Sequence, residues 1–325
     1  MKRWCLLAFK IGVTIGLLYY IFGIIPFSEV IKSISVARLW YVVIALLTAT
    51  LTTFVSASRL KILTDIQGMS LSILQIAEIN LVTKFYGLLL PGYLAGGVIR
   101  WHKLSQVEKK KTEAFAAIAF SRLNFTIVLV ILGIAFLTLD MSFAPPRVTS
   151  LGLLVVLISL CVVYLIGFNP KVFPLLDWLN QGKVDFIPMP LHDKLSKLFV
   201  VTSQYHSLSQ RSWCFITGLS FLENMLGVIT VYLLAIALNI DITFINIGWI
   251  RSVINLVTAL PISFSGIGVR EGRLIVLLKP YGVAGSEALA LSFLILATAV
   301  FVGGIGGVIE ARKFLLSTNT NDIKA

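Results

Sequence analysis

The stretch PISFSGIGVREG (residues 261–272) places a proline, three glycines, an arginine and a glutamate between two strongly apolar segments. A looser copy, PGYLAGGVIR (residues 91–100), occurs earlier in the chain, and both copies read Pro-x4-Gly-x3-Arg. Proline removes a backbone donor and glycine weakens a helix, so each copy is expected to interrupt the helix that contains it. The sequence therefore predicts two broken helical elements, at residues 73–97 and 242–282.

The composition indicates a membrane protein. The chain of 325 residues is 58% hydrophobic and 13% charged, with a mean hydropathy of +0.94, whereas an average soluble domain carries about 25% charged residues. Six other apolar segments are each near or above the ~17–25 residues that cross a bilayer as a helix. These segments are residues 6–25, 39–55, 114–139, 151–168, 213–238 and 284–309. We therefore expect one integral membrane domain, 1–325, that is all-α and polytopic, with six full spans plus two broken or re-entrant elements.

The order of these elements repeats along the chain. Span, span, broken element, span occurs twice, in half-repeats of approximately 1–145 and 146–315. If each broken element returns to the side from which it entered, each half crosses the membrane an odd number of times, and the second half is inverted. Inverted-repeat transporters have this arrangement, and their interrupted segments mark the binding site. The tetrapeptide NLVT at 80–83 and 255–258 also recurs, although so short a match arises by chance as well.

The distribution of basic residues predicts the orientation of the chain. The net charge is +12, and the loop lysines and arginines concentrate in alternate loops, chiefly 100–113 and 169–212. Cytoplasmic loops carry such an excess in multi-pass proteins. We therefore expect a protein of the cell membrane, inner or plasma, with both termini and the loop 169–212 in the cytoplasm. Basic residues placed in this way attract anionic lipid, which argues against a nucleic-acid partner.

The broken elements carry the residues with a predicted role in binding. A helix break inside lipid is tolerated where its backbone groups line a polar cavity. The residues expected to form the two breaks are Pro91, Gly96, Gly97, Pro261, Gly266 and Gly268. The half-helix after each break should point its partially positive N-terminus into the cavity, with Arg100 or Arg270 about one turn further on. Both arginines are predicted to bind a lipid phosphate; the alternative is that both anchor the chain at the membrane interface.

Further ionisable residues lie inside predicted spans. Arg122 and Glu223 are placed where charged groups are costly and usually face the interior of a bundle. Arg122 is expected to pair with Glu223 or with Glu271, and Glu271 is expected to hold Arg270 when no lipid is bound. A structural ion pair and a transport role both stay open for Arg122 and Glu223.

Two other features favour roles in packing or anchoring. Glu78 and Lys84 flank the first break and are expected to reach the membrane interface. The run GGIGG (residues 303–307) in the last span is typical of close helix packing.

The sequence contains no recognisable catalytic motif. It has no HExxH, no GxSxG and no paired-aspartate cluster, and its three histidines lie in predicted loops. The three cysteines lie in or beside apolar segments and predict neither a disulfide framework nor a zinc site. We therefore expect no enzyme activity, no metal and no cofactor.

Three segments carry a resemblance to a known family: LLLPGYLAGGVIRWHKLS, FSRLNF and LPISFSGIGVREGRLIVLLKPYGV. They resemble the flippase-like transmembrane domain of the lysylphosphatidylglycerol synthases, the multiple peptide resistance factor family. The residues that match the family pattern are Pro91, Gly97, Arg100, Arg122, Pro261, Gly266, Gly268, Arg270 and Glu271. The resemblance implies a domain that moves aminoacylated phospholipid between leaflets. We expect a stand-alone form without the soluble synthase domain, for which lipid aminoacylation is not implied.

These observations favour a flippase-like lipid translocase for an anionic or phosphate-bearing lipid, for example a polyprenyl-phosphate glycolipid. The alternative is a non-transporting membrane partner subunit that presents lipid to a separate glycosyltransferase or synthase. A membrane-embedded transferase is a third interpretation. A membrane lipid is the expected substrate in the first case, and the sequence leaves the oligomeric state open.

Overall fold

The computed structural model describes residues 25, 27–89, 93–140, 147–168, 200–202, 204–205, 208–258 and 268–322. Within these residues the regular structure is helical throughout, with no strand. The α-helices are α1 (Phe27–Ser35), α2 (Leu39–Ile66), α3 (Ile73–Leu89), α4 (Tyr93–Glu108), α5 (Lys111–Leu139), α6 (Arg147–Phe168), α7 (Gln210–Ala237), α8 (Phe244–Thr258), α9 (Val269–Leu278) and α10 (Gly285–Asp322). A short 3-10 turn, Lys279–Tyr281, follows α9.

Four of these helices are long and apolar enough to cross a membrane: α2, α5, α7 and residues 285–315 of α10. Helix α6 is also strongly apolar, while the predicted first span, 6–25, lies outside the described residues apart from Ile25. A stripe of exposed apolar side chains suited to lipid runs along α2 through Val43, Leu47, Leu51 and Phe54. The prediction of an all-α membrane protein is confirmed.

Helix α2 continues to Ile66, past the predicted end of its span at residue 55. Arg59, which follows the apolar segment 39–55 in the sequence, lies inside the bundle, and the residue is 3% exposed. The helix extends because Arg59 finds polar partners on its neighbours. Its guanidinium donates to the hydroxyls of Ser121 and Ser220, both at 3.0 Å.

Helices α2 and α7 pack against each other in antiparallel directions, and each also contacts α5 and α10. The hydroxyl oxygens of Thr48 and Thr230 are 2.9 Å apart, whereas further along α2 Arg59 reaches Ser220. Residue numbers that rise along α2 therefore meet residue numbers that fall along α7. This pair forms the central contact of the bundle.

One end of the bundle collects basic residues and is called the basic end below. The end of α2 meets the residues before α5, where Lys110 Nζ donates to the Gly68 carbonyl at 2.7 Å. It also meets the residues before α7, where Gln67 Nε2 donates to the Val201 carbonyl at 3.0 Å. The described residues just before α5 and α7 thus lie at the same end of the bundle.

Helices α3 and α4 form a helical hairpin that opens at the basic end. The start of α3 and the end of α4 meet there, since Glu108 Oε1 accepts a hydrogen bond from the N–H of Ser70 at 3.1 Å. Helices α8 and α9 form a second hairpin that opens at the other end. Trp249 Nε1 donates to the Tyr281 hydroxyl at 3.2 Å and to Asp140, at the far end of α5, at 3.0 Å.

The first break differs from its prediction. Helix α4 begins at Tyr93, so Gly96 and Gly97 lie inside a helix and do not form the break. Gly96 is instead suited to close packing on α3, because a Cβ there would lie 3.4 Å from the Thr83 carbonyl oxygen. The predicted break residues that lie outside the described part of the chain are Pro91, Pro261 and Gly266.

The two NLVT copies do not occupy equivalent positions. Residues 80–83 lie in the interior of α3, whereas residues 255–258 end α8. The recurrence of this tetrapeptide therefore gives no support to a structural repeat.

Glycines allow α10 and α5 to pack closely on the two hairpins. A Cβ at Gly306 of α10 would lie 2.1 Å from the Leu81 carbonyl oxygen of α3. Between α5 and α8, a Cβ at Gly133 would lie 2.7 Å from the Ser252 side chain. The predicted packing role of GGIGG is confirmed, with Gly304 the exception because no atom of another described helix lies within 4 Å of its Cβ position.

Candidate functional site

A cavity of about 460 Å³ lies near the middle of the bundle. Its wall is formed by central turns of α2, α5, α7 and α10 and by the ends of α3, α8 and α9 that adjoin the breaks. Pockets that bind small molecules typically measure ~300–1,000 Å³. The charged side chains that line it among the described residues are Lys84, Glu223, Arg251 and Arg270. Much of the remaining wall is apolar, so the cavity offers both cations and a surface suited to hydrocarbon.

Helix α9 begins at this wall and carries Arg270 and Glu271 in its first turn. Gly268 precedes the helix with a φ of +85°, which glycine adopts without steric cost. Glu271 is 1% exposed, and its Oε2 accepts the Gly268 N–H at 2.6 Å while its Oε1 accepts Arg270 Nη2 at 2.6 Å. Ser292 of α10 donates to Glu271 Oε1 at 2.8 Å and accepts from Arg270 Nε at 2.9 Å. These contacts fix the guanidinium at the cavity.

Glu223 of α7 lines the cavity as half of an ion pair. Its carboxylate lies 2.7 Å from Arg59 Nη1, and the two side chains are 16% and 4% exposed. Arg59 also lies over the Phe125 ring, 5.3 Å from its centroid, and Ser220 beside it donates to Asn124 Oδ1 at 2.5 Å. The charge of Glu223 is therefore largely balanced by a cation of α2 before any ligand arrives.

Arg251 of α8 lies directly against a glycine of α7. A Cβ at Gly227 would be 1.9 Å from Arg251 Nη2, so any larger residue there would displace the guanidinium. The Nη1 atom is buried and has no hydrogen-bond partner among the described residues. Because buried donors are normally satisfied, this atom is suited to an acceptor supplied by a ligand.

Lys84 of α3 completes the set of cations. Its ammonium donates to Thr53 Oγ1 at 2.7 Å, and Thr53 is 1% exposed. The expectation that Lys84 reaches the membrane interface is wrong, because the end of α3 turns this side chain into the bundle. Its partner in that expectation, Glu78, pairs with Lys313 at 2.5 Å.

The structure brings three of the predicted residues together: Arg270 and Glu223 line the cavity, and Glu271 lies behind Arg270. Arg59 and Arg270 are the ion-pair partners found for Glu223 and Glu271. Arg122 was expected to be the ion-pair partner of Glu223 or of Glu271. Its side chain is instead exposed and outside the cavity wall, within electrostatic range of Glu223.

Arg100 was predicted about one turn after a helix N-terminus, but it lies about two turns after the start of α4. It lies in the middle of α4 and outside the cavity wall, because that helix begins at Tyr93. Its Nε is buried and has no hydrogen-bond partner among the described residues. Arg100 contributes charge near the site, while Arg270 alone of the two is placed at a helix start.

Sequence reasoning missed Arg251, Arg59 and Gly227. For Arg251 a signal existed, because an ionisable residue inside the apolar run GWIRSVINL marks a polar path by default. Arg59 and Gly227 gave no local signal, since their roles depend on how α2, α7 and α8 pack.

Comparison with known proteins connects this site to a family. The family model of the lysylphosphatidylglycerol synthase TM region matches residues 7–307. The chain belongs to this family. The match spans every residue described at the cavity, and it indicates a role related to membrane lipids. No curated protein matches the chain at a significant level.

Proposed function

We propose that this member of the family is a lipid translocase that binds the phosphate of an anionic lipid in the cavity and passes the head group between leaflets. The observation that carries the proposal is the Arg270 guanidinium in a cavity wall midway along apolar helices. Ionisable groups at that depth are costly in lipid and usually mark a substrate path. Family membership supports a role with lipid but leaves its nature open.

The chemistry of phosphate binding follows from the start of α9. Arg270 is the second residue of this helix, so its guanidinium and the partially positive helix N-terminus act at the same place. A guanidinium makes two parallel charge-assisted bonds to a phosphate, which the ammonium of lysine cannot reproduce. Glu271 holds the guanidinium while the site is empty, because an unpaired buried charge is expensive.

An inverted repeat would give this site two-sided access. Exchanging α2, α3, α4 and α5 with α7, α8, α9 and α10 maps the contacts among these eight helices onto one another: α3 with α10 becomes α8 with α5, and α2 with α7 maps onto itself. The central pair α2 and α7 is antiparallel, as a two-fold axis in the membrane plane requires. The two hairpins open toward opposite ends. These features support six full spans in two inverted halves that rock about the cavity.

We assign the protein to the inner or plasma membrane of the cell. In that membrane the basic end of the bundle faces the cytoplasm. The C-terminal part of α10 also lies toward the basic end, beside α4, since Lys103 Nζ is 2.7 Å from Glu310 Oε1. Helix α2 begins at the other end, where the Arg38 N–H donates to the Ala237 carbonyl at 2.9 Å, so one preceding span would return the N-terminus to the cytoplasm. The activity makes no covalent bond, and a separate synthase or glycosyltransferase would make or consume the lipid.

Leaflet exchange in proteoliposomes tests this function. Vesicles that contain the purified protein and labelled phosphatidylglycerol, phosphatidic acid or phosphatidylcholine should exchange the anionic lipids faster than protein-free vesicles do. If anionic lipid binds and none exchanges, the translocase proposal fails and the partner-subunit alternative gains support.

A further inference from the structure

We propose that the cavity selects a lipid whose head group is net negative and lacks an ammonium group, and that Arg251 is its second phosphate-binding side chain. The inference rests on the proposed lipid site, although it does not require that the lipid be moved. Its evidence is the charge balance of the cavity and the niche that holds Arg251.

The charged side chains around the cavity leave an excess of positive charge. The cations that line it among the described residues are Lys84, Arg251 and Arg270. The two carboxylates at the site are already paired, Glu223 with Arg59 at 2.7 Å and Glu271 with Arg270 at 2.6 Å. Among the described residues that line the cavity or pair with its lining, four cations therefore face two carboxylates, so the excess is at least two positive charges.

The segments that link α3 to α4 and α8 to α9 add no negative charge to the cavity. Residues 90–92 and 259–267 contain neither aspartate nor glutamate. An ammonium group that entered the cavity would therefore meet three cations and two carboxylates that are already engaged. Like charges inside one cavity repel strongly because the protein interior screens them poorly, so a cationic head group is disfavoured.

Arg251 is the cation with the greatest unused capacity. Lys84 donates to Thr53 and Arg270 is held by Glu271 and Ser292, whereas Arg251 Nη1 is buried without a hydrogen-bond partner among the described residues. No ion pair joins Arg251 to a carboxylate in the part of the chain that the structure describes. A buried guanidinium in this state is costly, and a phosphate oxygen would supply both the missing acceptor and the missing charge.

Gly227 holds the Arg251 guanidinium in place. The guanidinium fills the space that a side chain at residue 227 would occupy, since a Cβ would lie 1.9 Å from Nη2 and 2.4 Å from the central carbon. Arg251 and Arg270 line the same cavity from successive helices. We therefore expect a phosphate group in the cavity to interact with both guanidinium groups.

The charge excess also predicts an order among lipids. A phosphomonoester carries about −1.5 to −2 at pH 7 and matches an excess of two best. A phosphodiester such as phosphatidylglycerol carries a single negative charge and should follow. Phosphatidylethanolamine and a lysine ester of phosphatidylglycerol carry ammonium groups and should bind least.

Native mass spectrometry of the purified protein can test this order without measuring transport. The protein in neutral detergent receives an equimolar mixture of phosphatidic acid, phosphatidylglycerol, phosphatidylethanolamine and lysyl-phosphatidylglycerol with identical acyl chains. We expect phosphatidic acid to be bound most and the two ammonium lipids to be bound about ten-fold less than phosphatidylglycerol, because their ammonium groups are repelled by the excess cations of the cavity. Equal or stronger binding of the lysine ester overturns the inference.

Variants assign the effect to Arg251. Arg251→Gln should lower binding of both anionic lipids about ten-fold, and Gly227→Ala should lower it as well although it removes no charge. Gly218→Ala on the same helix is the matched control, because no atom of the other helices that the structure describes lies within 4 Å of its Cβ position, and it should bind as the parent does. Parental binding by Arg251→Gln overturns the role of Arg251; if that variant does not fold, parental binding by Gly227→Ala does so.

The two proposals can fail separately. If anionic lipids bind in the predicted order but do not exchange between leaflets, translocation is wrong and the selectivity stands. If the lysine ester binds best and exchanges, translocation stands and the selectivity is wrong.

Discussion

The buried carboxylate of Glu271 performs two tasks at once. One oxygen accepts a hydrogen bond from the Gly268 amide and so caps the start of α9. The other accepts hydrogen bonds from Arg270 and Ser292. A lipid phosphate that binds Arg270 would take over part of this second task. The empty and occupied states of the site should therefore differ in how strongly they depend on Glu271.

Glu271→Gln tests this dependence. The variant removes the charge that neutralises Arg270, and breaking a buried ion pair typically costs about 3–5 kcal/mol. We expect a clear fall in the midpoint of thermal unfolding in neutral detergent, and a larger rise on addition of phosphatidylglycerol than the parent shows. The midpoints are measured by intrinsic fluorescence with and without lipid.

Glu287→Gln is the matched control for this change. Glu287 Oε2 accepts the Ala284 N–H at 3.1 Å at the start of α10, so it caps a helix without holding a cavity cation. Its variant should respond to lipid as the parent does. An equal loss of stability for Glu271→Gln in the presence and absence of lipid would show that Glu271 is a cap only.

Sequence predicted one side of the site better than the other. Arg270 and Glu271 share one helical turn after a glycine, and their joint role could be read from local spacing. Arg251, Arg59 and Gly227 could not be combined in this way, because three helices distant in sequence bring them together.

Among the helices, glycine determines how closely α10 approaches the first hairpin. A Cβ at Gly306 would lie 2.1 Å from a backbone carbonyl oxygen of α3, which cannot move aside as a side chain can. Gly306→Ala should therefore push the two helices apart at a cost of about 1–3 kcal/mol, as overpacking usually does. Thermal unfolding of the purified variant measures this cost.

Gly304→Ala provides the comparison on the same helix. Within the described part of the chain, no atom of a neighbouring helix lies within 4 Å of its Cβ position, and alanine favours a helix over glycine, so the unfolding midpoint should be unchanged or higher. Equal stability of the two variants would contradict the close packing of α10 on α3.

The antiparallel contact of α2 and α7 can be tested by crosslinking. In a background with Cys5, Cys161 and Cys214 replaced by serine, Thr48→Cys with Thr230→Cys should form a disulfide on oxidation, because the native hydroxyls are 2.9 Å apart. A protease site in the loop before α7 allows detection, since joined fragments then stay together until reduction. Thr48→Cys with Ser220→Cys should not crosslink, and efficient crosslinking of that pair would contradict the helix directions.

Helix boundaries show why hydropathy predicted the elements but not their ends. Apolar length located α2, α5, α7 and α10, whereas α2 extends past its apolar segment because Arg59 has partners inside the bundle. Glycine content predicted a break at Gly96 and Gly97, but the helix passes through both because Gly96 packs on α3. Such ends depend on tertiary contacts that a single segment does not encode.

For the bundle as a whole, the arrangement of its ends predicts membrane topology. The loops before α5 and α7 and the end of α10 gather at the basic end, which positive charge favours for the cytoplasm. Single cysteines placed at Lys110, Gln204 and Arg312 in a cysteine-free background should therefore react with a membrane-impermeant maleimide only after the cell is opened. A cysteine at Arg38 should react in intact cells, and labelling of residue 312 from outside would contradict the inverted repeat.

Leaflet exchange by the Arg270→Lys variant tests whether Arg270 binds lipid phosphate during translocation. This variant keeps the charge but loses the two parallel bonds that a guanidinium makes. Arg273→Lys on the same helix, where the native side chain is exposed, serves as the control, and all proteins are matched for thermal stability before reconstitution. We predict that the parent and Arg273→Lys exchange labelled phosphatidylglycerol equally and that Arg270→Lys is slower by about ten-fold or more. Exchange by Arg270→Lys at the parental rate would contradict the account and leave Arg270 as an anchor at the interface.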